Sequence, residues 1–231
     1  MYRKQLIAIA YELNQKYNNY AVSENARVIL TSAVMLALQD PEFSTYAQTS
    51  QELLHNILRS VEKTLENASI NEQYRNSIIK TLKTLENEPI VKNNELTRKK
   101  GKNKVIPTIH ALHDIIAYIQ EKVYKSAAKE DVLGTFYTEF MRFTGAKPKI
   151  GVILTPKHIC ELACDLTNIQ PTDVVLDPCC GSGGFLISAS QYTQHIVGVE
   201  RDPQMFTIAV VNTLLRGHPI DGLIEGDCFN S

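Results

Sequence analysis

VVLDPCCGSGGFL, residues 174–186, decides how the back of this chain is read. A short apolar run ends on Asp177 and Pro178 and crosses a turn of small residues at Cys179–Gly184. It resumes with Phe185-Leu186. A β-branched run closed by Asp-Pro predicts a strand, and glycines before an apolar pair predict a turn into a helix. Outward from this point the alternation continues. DVVLD (173–177), HIVGVE (195–200) and GLIEGDCF (222–229) read as strands. Gly183 to about Tyr192 and Pro203 to about Arg216 read as helices between them. Upstream, Thr155-Pro156 is expected to start a helix, Thr155 capping and Pro156 in first helical position, with Ile159, Leu162, Ala163 and Leu166 facing inward. Short apolar strands alternating with helices predict a parallel sheet covered by helices.

Ligands of such sheets lie beyond the carboxyl ends of the strands. Three expected strands bring acids to that edge: Asp177, Glu200 and Asp227. A dinucleotide does not suit the turn. Leu186 stands where the third glycine of G-x-G-x-x-G belongs. Asp177, directly before the turn, would repel a pyrophosphate by roughly 3–4 kcal/mol at 4–5 Å and surface-like dielectric. S-adenosylmethionine removes that conflict, because it carries an ammonium and a sulfonium and no phosphate. Gly181, Gly183 and Gly184 let the backbone pass close to its methionine part. Glu200 is expected to accept from its ribose hydroxyls and Asp227 from its adenine amino group.

The front of the chain has another character. Stripes at three- and four-residue spacing predict packed helices: Val28, Ile29, Met35, Leu36 and Leu38 after a Ser23 cap, then Leu53 to Leu65, then Ile78, Ile79, Leu82 and Leu85. Pro89 is expected to end the third. Residues 91–107, with Arg98, Lys99, Lys100, Lys102 and Lys104, read as a basic loop or linker that is either a solvated hinge or a phosphate contact. Ile109, Leu112, Ile116, Ile119 and Val123 form another stripe, and residues 131–143 read as a further helix. The expected organisation is a helical domain over 1–148 and a cofactor-binding domain over 149–231.

Charge divides along the same line. Residues 1–150 hold 21 Lys/Arg against 16 Asp/Glu, and residues 151–231 hold 3 against 9. A basic front tolerates polyanions and an acidic back favours a cationic ligand. Five cysteines, all beyond residue 159, do not form a secreted disulfide pattern, so a reducing cytoplasm is the expected compartment. No run approaches the roughly 18 apolar residues of a membrane span, so no membrane partner is expected. Cys160, Cys164, Cys179 and Cys180 lack metal-site spacing, and Ser182 lacks the glycine two places before it that a nucleophile elbow needs.

Thr155-Pro156, the run from Asp177 to Leu186, Val199-Glu200 and Gly226-Asp227-Cys228-Phe229 together resemble the opening motifs of adenine-N6 DNA methyltransferases. More narrowly, they resemble the modification (M) subunit of type I restriction-modification systems. Asp131-Val132-Leu133-Gly134 with Tyr137-Thr138-Glu139-Phe140 is similar to that family's pre-catalytic helix. The resemblance implies an N-terminal bundle followed by the first half of a Rossmann-like methyltransferase sheet, an α plus α/β chain. It implies that Leu154, Thr155, Pro156 and Lys157 line the cofactor pocket. Asp177 and Pro178 precede the turn, and Gly181, Ser182, Gly183, Gly184 and Phe185 wrap the methionine part. Glu200 then holds the ribose, and Asp227 with Phe229 the adenine. DNA, a DNA-specificity subunit and a restriction subunit are the implied partners.

The family's catalytic Asn-Pro-Pro-Phe/Tyr does not occur in the 231 residues. In the family it follows shortly after the Gly-Asp-Cys-Phe strand, so its expected place is beyond Ser231, and no catalytic residue is assigned within the chain. The motif receives a flipped adenine on its aromatic ring and aims N6 at the sulfonium methyl. The expectation is therefore a fragment of a longer enzyme, truncated after its third strand and inactive alone, whose first strand keeps one bare edge. A methyltransferase for another acceptor, or a non-catalytic binding fragment, is the alternative.

Overall fold

The computed structural model describes residues 2–68, 70–98, 104–125, 133, 135, 136, 139 and 155–230. Four long helices open it: α1 (Tyr2–Asn19), α2 (Glu24–Ala37), α3 (Ser50–Asn67) and α4 (Glu72–Lys83). A 3₁₀ turn (Thr84–Asn87) and the short α5 (Pro89–Lys92) follow. The stripe residues of α3 are buried, as are Ile78, Leu82 and Leu85, so period and packing agree. Helix α1 was not picked out from the sequence, because its apolar residues are interrupted by charges. It is nonetheless tied in by Lys16 and Tyr20, which both reach Asp114 of α6 (Thr108–Tyr118), at 2.8 and 2.6 Å. The stripe of α6 continues through a π-helical turn, Ile119–Tyr124, where Ile119 and Val123 are buried.

Three local expectations are corrected. Ser23 occupies the N-cap position of α2 but makes no side-chain cap bond; its hydroxyl donates to Glu88 at 2.6 Å instead. Pro89 does not simply stop a helix, since it stands at the start of α5, where its missing N–H costs nothing. Residues 91–107 are not a plain loop. They hold an antiparallel hairpin of β1 (Glu95–Arg98) and β2 (Lys104–Pro107), paired from Glu95↔Pro107 to Arg98↔Lys104. Alternation in ELTR and KVIP carried that signal, but the surrounding charges hid it. Lys99, Lys100 and Lys102 lie outside the described residues, as does most of 131–143.

The back of the chain forms α7 (Lys157–Thr167), β3 (Val175–Asp177), α8 (Gly184–Ala189), β4 (Ile196–Glu200), α9 (Pro203–Leu214) and β5 (Leu223–Glu225). The strands pair in parallel in the order β3–β4–β5, with Val175 opposite Ile196 and Gly198 opposite Leu223. Each strand is shorter than expected, and the third ends at Glu225 rather than running to Phe229. The mixed helix-and-sheet class is as expected.

Helix α9 joins the two halves. Every residue from Met205 to Thr213 is buried. It packs against α2 and α4 on one side and against the strands on the other. Phe206 is fully buried and meets Tyr74 of α4 edge-on at 5.5 Å, and Ser77 of α4 donates to Glu225 at 2.8 Å. One contiguous core therefore contains residues of both halves. The expected boundary near residue 148 falls outside the described residues.

The inner face of α7 is also corrected. Cys160 and Cys164 are buried, whereas Ile159, Leu162 and Leu166 are 42%, 52% and 77% exposed. At about 100° per residue these three lie on a different side of the helix from the cysteines. The small thiol side lets α7 approach α8 closely: a Cβ on Gly184 would stand 3.6 Å from the Cys160 sulfur. Val174 and Leu176, at the outer strand β3, are also largely exposed.

Candidate functional site

The glycine turn joins β3 to α8 and is built by backbone geometry. Gly181 and Gly183 have φ of +57° and +85°, a region that costs other residues energy. Cys180 N–H donates to the Val199 carbonyl at 2.9 Å and Gly183 N–H to the Cys180 carbonyl at 2.8 Å, so the turn is pinned to β4 and closed on itself. Ser182 is buried, and the Asn212 side-chain amide of α9 donates to its carbonyl at 3.0 Å.

The acids stand at the same edge. Glu200 ends β4, and its carboxylate oxygens accept from Gly181 N–H at 2.9 Å and Asp202 N–H at 2.7 Å. Each oxygen keeps a second lone pair for a further donor. Asp177 ends β3 and accepts from Cys179 N–H at 3.1 Å. Its carboxyl is held above the usual carboxylate range, first by burial and further by the charge of Glu200, with the Cys179 bond opposing both. Asp227 lies two residues beyond β5, not at its end as expected. It accepts from Phe229 N–H at 3.1 Å and lies 3.7 Å from Arg201. The edge is thus an acidic rim around a side-chain-free bend, and its charge suits a cation.

The remaining expected residues are placed less centrally. Thr155, Pro156 and Lys157 are exposed at the start of α7. Thr155 does not cap the helix; Pro156 occupies the N-cap position without a side-chain bond, because proline has no side-chain acceptor to offer. Lys157 pairs with Glu161 at 3.3 Å, one turn along. Phe229 is 92% exposed, and Pro178 is exposed while Phe185 is half-buried. Leu154 lies outside the described residues. So does Ser231, the residue beyond which the catalytic motif is expected; the described chain closes at Asn230, whose N–H donates to the Asp227 carbonyl at 2.8 Å.

Sequence reasoning missed three residues. Asp202 caps α9 through bonds from Gln204 and Met205 N–H, both 3.0 Å, a role legible in Asp202-Pro203. Asn212 gave no sequence signal, since its partner is a backbone carbonyl 30 residues away. Glu225, the true last acid of β5, turns to Ser77 rather than to the rim. Among the described residues no His/Cys/Asp/Glu group is arranged to hold a metal, and no helix is long and apolar enough to cross a membrane.

Fold comparison gives the class first. A chain from a type I restriction-modification system superposes over 97% of this chain and 50% of its own, with a TM-score of 0.59 and 17% identity. A modification subunit of a putative type I restriction enzyme from Vibrio vulnificus YJ016 covers 98% of this chain and 56% of its own, with a TM-score of 0.53 and 17% identity. The chain has the mixed helix-and-sheet fold of these proteins. Sequence comparison then gives a family match: residues 128–231, a little under half of the chain, match the N-6 DNA Methylase model.

A type II restriction enzyme and methyltransferase from Heyndrickxia coagulans is 30% identical over 98% of this chain and 38% of its own length. A type I methylase subunit from Methanocaldococcus jannaschii is 31% identical over 49% of this chain and 24% of its own. The chain therefore matches well under half the length of these curated relatives.

Proposed function

We propose that this chain is the helical front and the cofactor-binding part of an adenine-N6 DNA methyltransferase of a restriction-modification system, and that the bend at 181–184 holds S-adenosylmethionine. The observation that carries the reading is the clamp between Gly181 N–H and Glu200, which joins the positive-φ turn to an acid at the carboxyl edge of a parallel sheet. Two features support the fit. A Cβ at Gly181 would meet nothing within 4 Å, so there is open space beside the turn. The upward push on Asp177 by burial and by Glu200 is what a positively charged ligand would relieve.

In this reading the sheet is the opening half of a Rossmann-like methyltransferase sheet. The backbone of Ser182–Phe185 receives the methionine part, and Glu200 accepts from the ribose hydroxyls through its second lone pairs. Asp227 and Phe229 bound the adenine, and Thr155–Lys157 form an outer wall. When bound, S-adenosylmethionine supplies an electrophilic methyl group. Asp177 and Glu200 hold negative charge beside that cation and, by placing acids before the turn, disfavour phosphates. DNA, a specificity subunit and a restriction subunit are the proposed partners, the basic front being the side that faces polyanions. A reducing, cytoplasmic setting is part of this reading, since the cysteines are odd in number and confined to the last third of the sequence.

Isothermal titration of the 231-residue chain with S-adenosylmethionine tests this. Glu200→Ala removes charge-assisted hydrogen bonds worth about 1.5–3 kcal/mol and should weaken binding about ten- to a hundredfold. Unchanged affinity in a variant that remains folded refutes the ribose assignment, and tighter binding of a dinucleotide refutes the cofactor.

A further inference from the structure

The carboxyl edge of the sheet carries a second chemistry. Of the five cysteines, Cys160, Cys164 and Cys180 are buried, whereas Cys179 is exposed and Cys228 half-buried. The sulfurs of Cys179 and Cys228 lie 3.9 Å apart although 49 residues separate them in sequence. Each rides on a short turn made by a preceding acid: Asp177 accepts from Cys179 N–H, and Asp227 from Phe229 N–H, both at 3.1 Å. These turns follow the two outer strands, β3 and β5, while β4 with Glu200 runs between them. The thiols thus meet across the end of the middle strand, over the rim that the acids form.

We propose that Cys179 and Cys228 are a site of reversible oxidation, and that their disulfide ties the two outer loops together and shuts the crevice to S-adenosylmethionine. The pairing stands on the geometry alone, and the shutting rests on the cofactor reading above. A disulfide needs the sulfurs at about 2.05 Å. The approach of roughly 1.9 Å is within reach of side-chain rotation and loop movement at exposed turn residues. Cys180 does not compete, because it is buried, and a Cβ on Gly198 would stand 3.1 Å from its sulfur.

With hydrogen peroxide as the oxidant, the Cys179 thiolate attacks one peroxide oxygen. The S–O bond forms, the O–O bond breaks, and the released hydroxide takes a proton to become water. The Cys228 thiolate then attacks the sulfenic sulfur; the S–S bond forms, the S–O bond breaks, and a second water leaves. Two thiols give up two electrons and two protons, and one peroxide becomes two waters. A dithiol reductant reverses the bond by exchange.

The test treats the full chain with hydrogen peroxide, blocks remaining thiols with N-ethylmaleimide, and maps peptides by mass spectrometry without reduction. Binding of S-adenosylmethionine is titrated on reduced, oxidised and re-reduced chain. The expected result is a linked peptide pair containing Cys179 and Cys228, loss of binding on oxidation, and recovery with dithiothreitol. Cys228→Ser should form no link and keep its binding in peroxide. A Cys179–Cys180 link, or Cys179 oxidised to the sulfinic acid beside a free Cys228, overturns the pairing. A linked chain that binds as the reduced one does overturns the gate. If reduced chain and Cys228→Ser both fail to bind, the cofactor reading and the gate fall together, and the peptide map still decides the pairing.

Discussion

Replacing Gly183 by alanine isolates the cost of the bend from the cost of crowding. A Cβ at Gly183 would lie 3.6, 3.7 and 3.9 Å from Ala209 atoms, all ordinary contacts, so sterics contribute little. The backbone contributes instead. At φ +85° an L-residue is in the left-handed region, at about 1–2 kcal/mol. Alanine's stiffer unfolded chain returns about 0.4–1 kcal/mol. The net loss is about 1 kcal/mol, or about 2–4 °C in Tm for a chain of this size. Gly184 is the control. It opens α8 without a positive φ, and its Cβ would stand 3.6 Å from the Cys160 sulfur, again ordinary contact. Alanine there should gain about 0.5–1 kcal/mol as a better helix former. Urea unfolding of both variants should therefore separate them by about 1.5–2 kcal/mol, with Gly184→Ala the more stable. Equal stabilities, or Gly183→Ala above Gly184→Ala, would refute the claim that backbone conformation, not space, fixes glycine at 183.

Three further outcomes follow from the same contacts. Asp177 has a carboxyl raised by burial and by Glu200, so the folded chain keeps a proton that the unfolded chain loses. Its contribution to stability falls as pH rises from the ordinary carboxylate value through the raised one. Asp177→Asn should therefore flatten that part of the pH profile and leave the ligand-free chain more stable at neutral pH, as read by urea melts across pH; an unchanged profile counts against the half-buried acid pair. Burial, with Asp177 and Glu200 adding their charge, pushes the Cys180 thiol up to about 12. Iodoacetamide at mildly alkaline pH should spare it in the native chain and label it after unfolding; rapid native labelling would show the turn is open. Phe206→Ala empties a fully buried site beside Tyr74 and should cost about 3–5 kcal/mol in chemical denaturation; a loss below about 1 kcal/mol would mean that α9 does not anchor the core.

What could be read from the sequence follows the range of the forces involved. The stripes of α3 and α6 and the strand–helix alternation after residue 173 are local patterns, and the described elements follow them. Asp177, Glu200 and the glycines were legible because strand ends and positive-φ bends leave residue-type signals. The hairpin at 95–107 was not, since the lysines between its strands outweighed two four-residue strands. The face of α7 was misread because two buried cysteines, one of them (Cys160) facing Gly184 of α8, rather than the larger Ile159, Leu162 and Leu166, line its packed side. Asn212 and the Cys179–Cys228 approach depend on tertiary placement, which no local pattern announces.

Helix α9 explains why the front and back of the chain are best treated as one mechanical unit. Its buried length contacts α2 and α4 as well as the strands, and Asn212 on the same helix holds the Ser182 carbonyl inside the glycine turn. A displacement of the bundle relative to the sheet would therefore act on the turn through that amide, beside the packing of Ala209 near Gly183, and on β5 through the Ser77–Glu225 bond among other contacts. Removing the amide while keeping its bulk, as in Asn212→Leu, leaves a buried carbonyl without this donor, at about 1–3 kcal/mol. If the helix transmits position as well as stability, weakened S-adenosylmethionine binding should persist in Asn212→Leu at temperatures where the variant is still fully folded. Binding equal to that of the parent chain under those conditions would reduce α9 to a packing element.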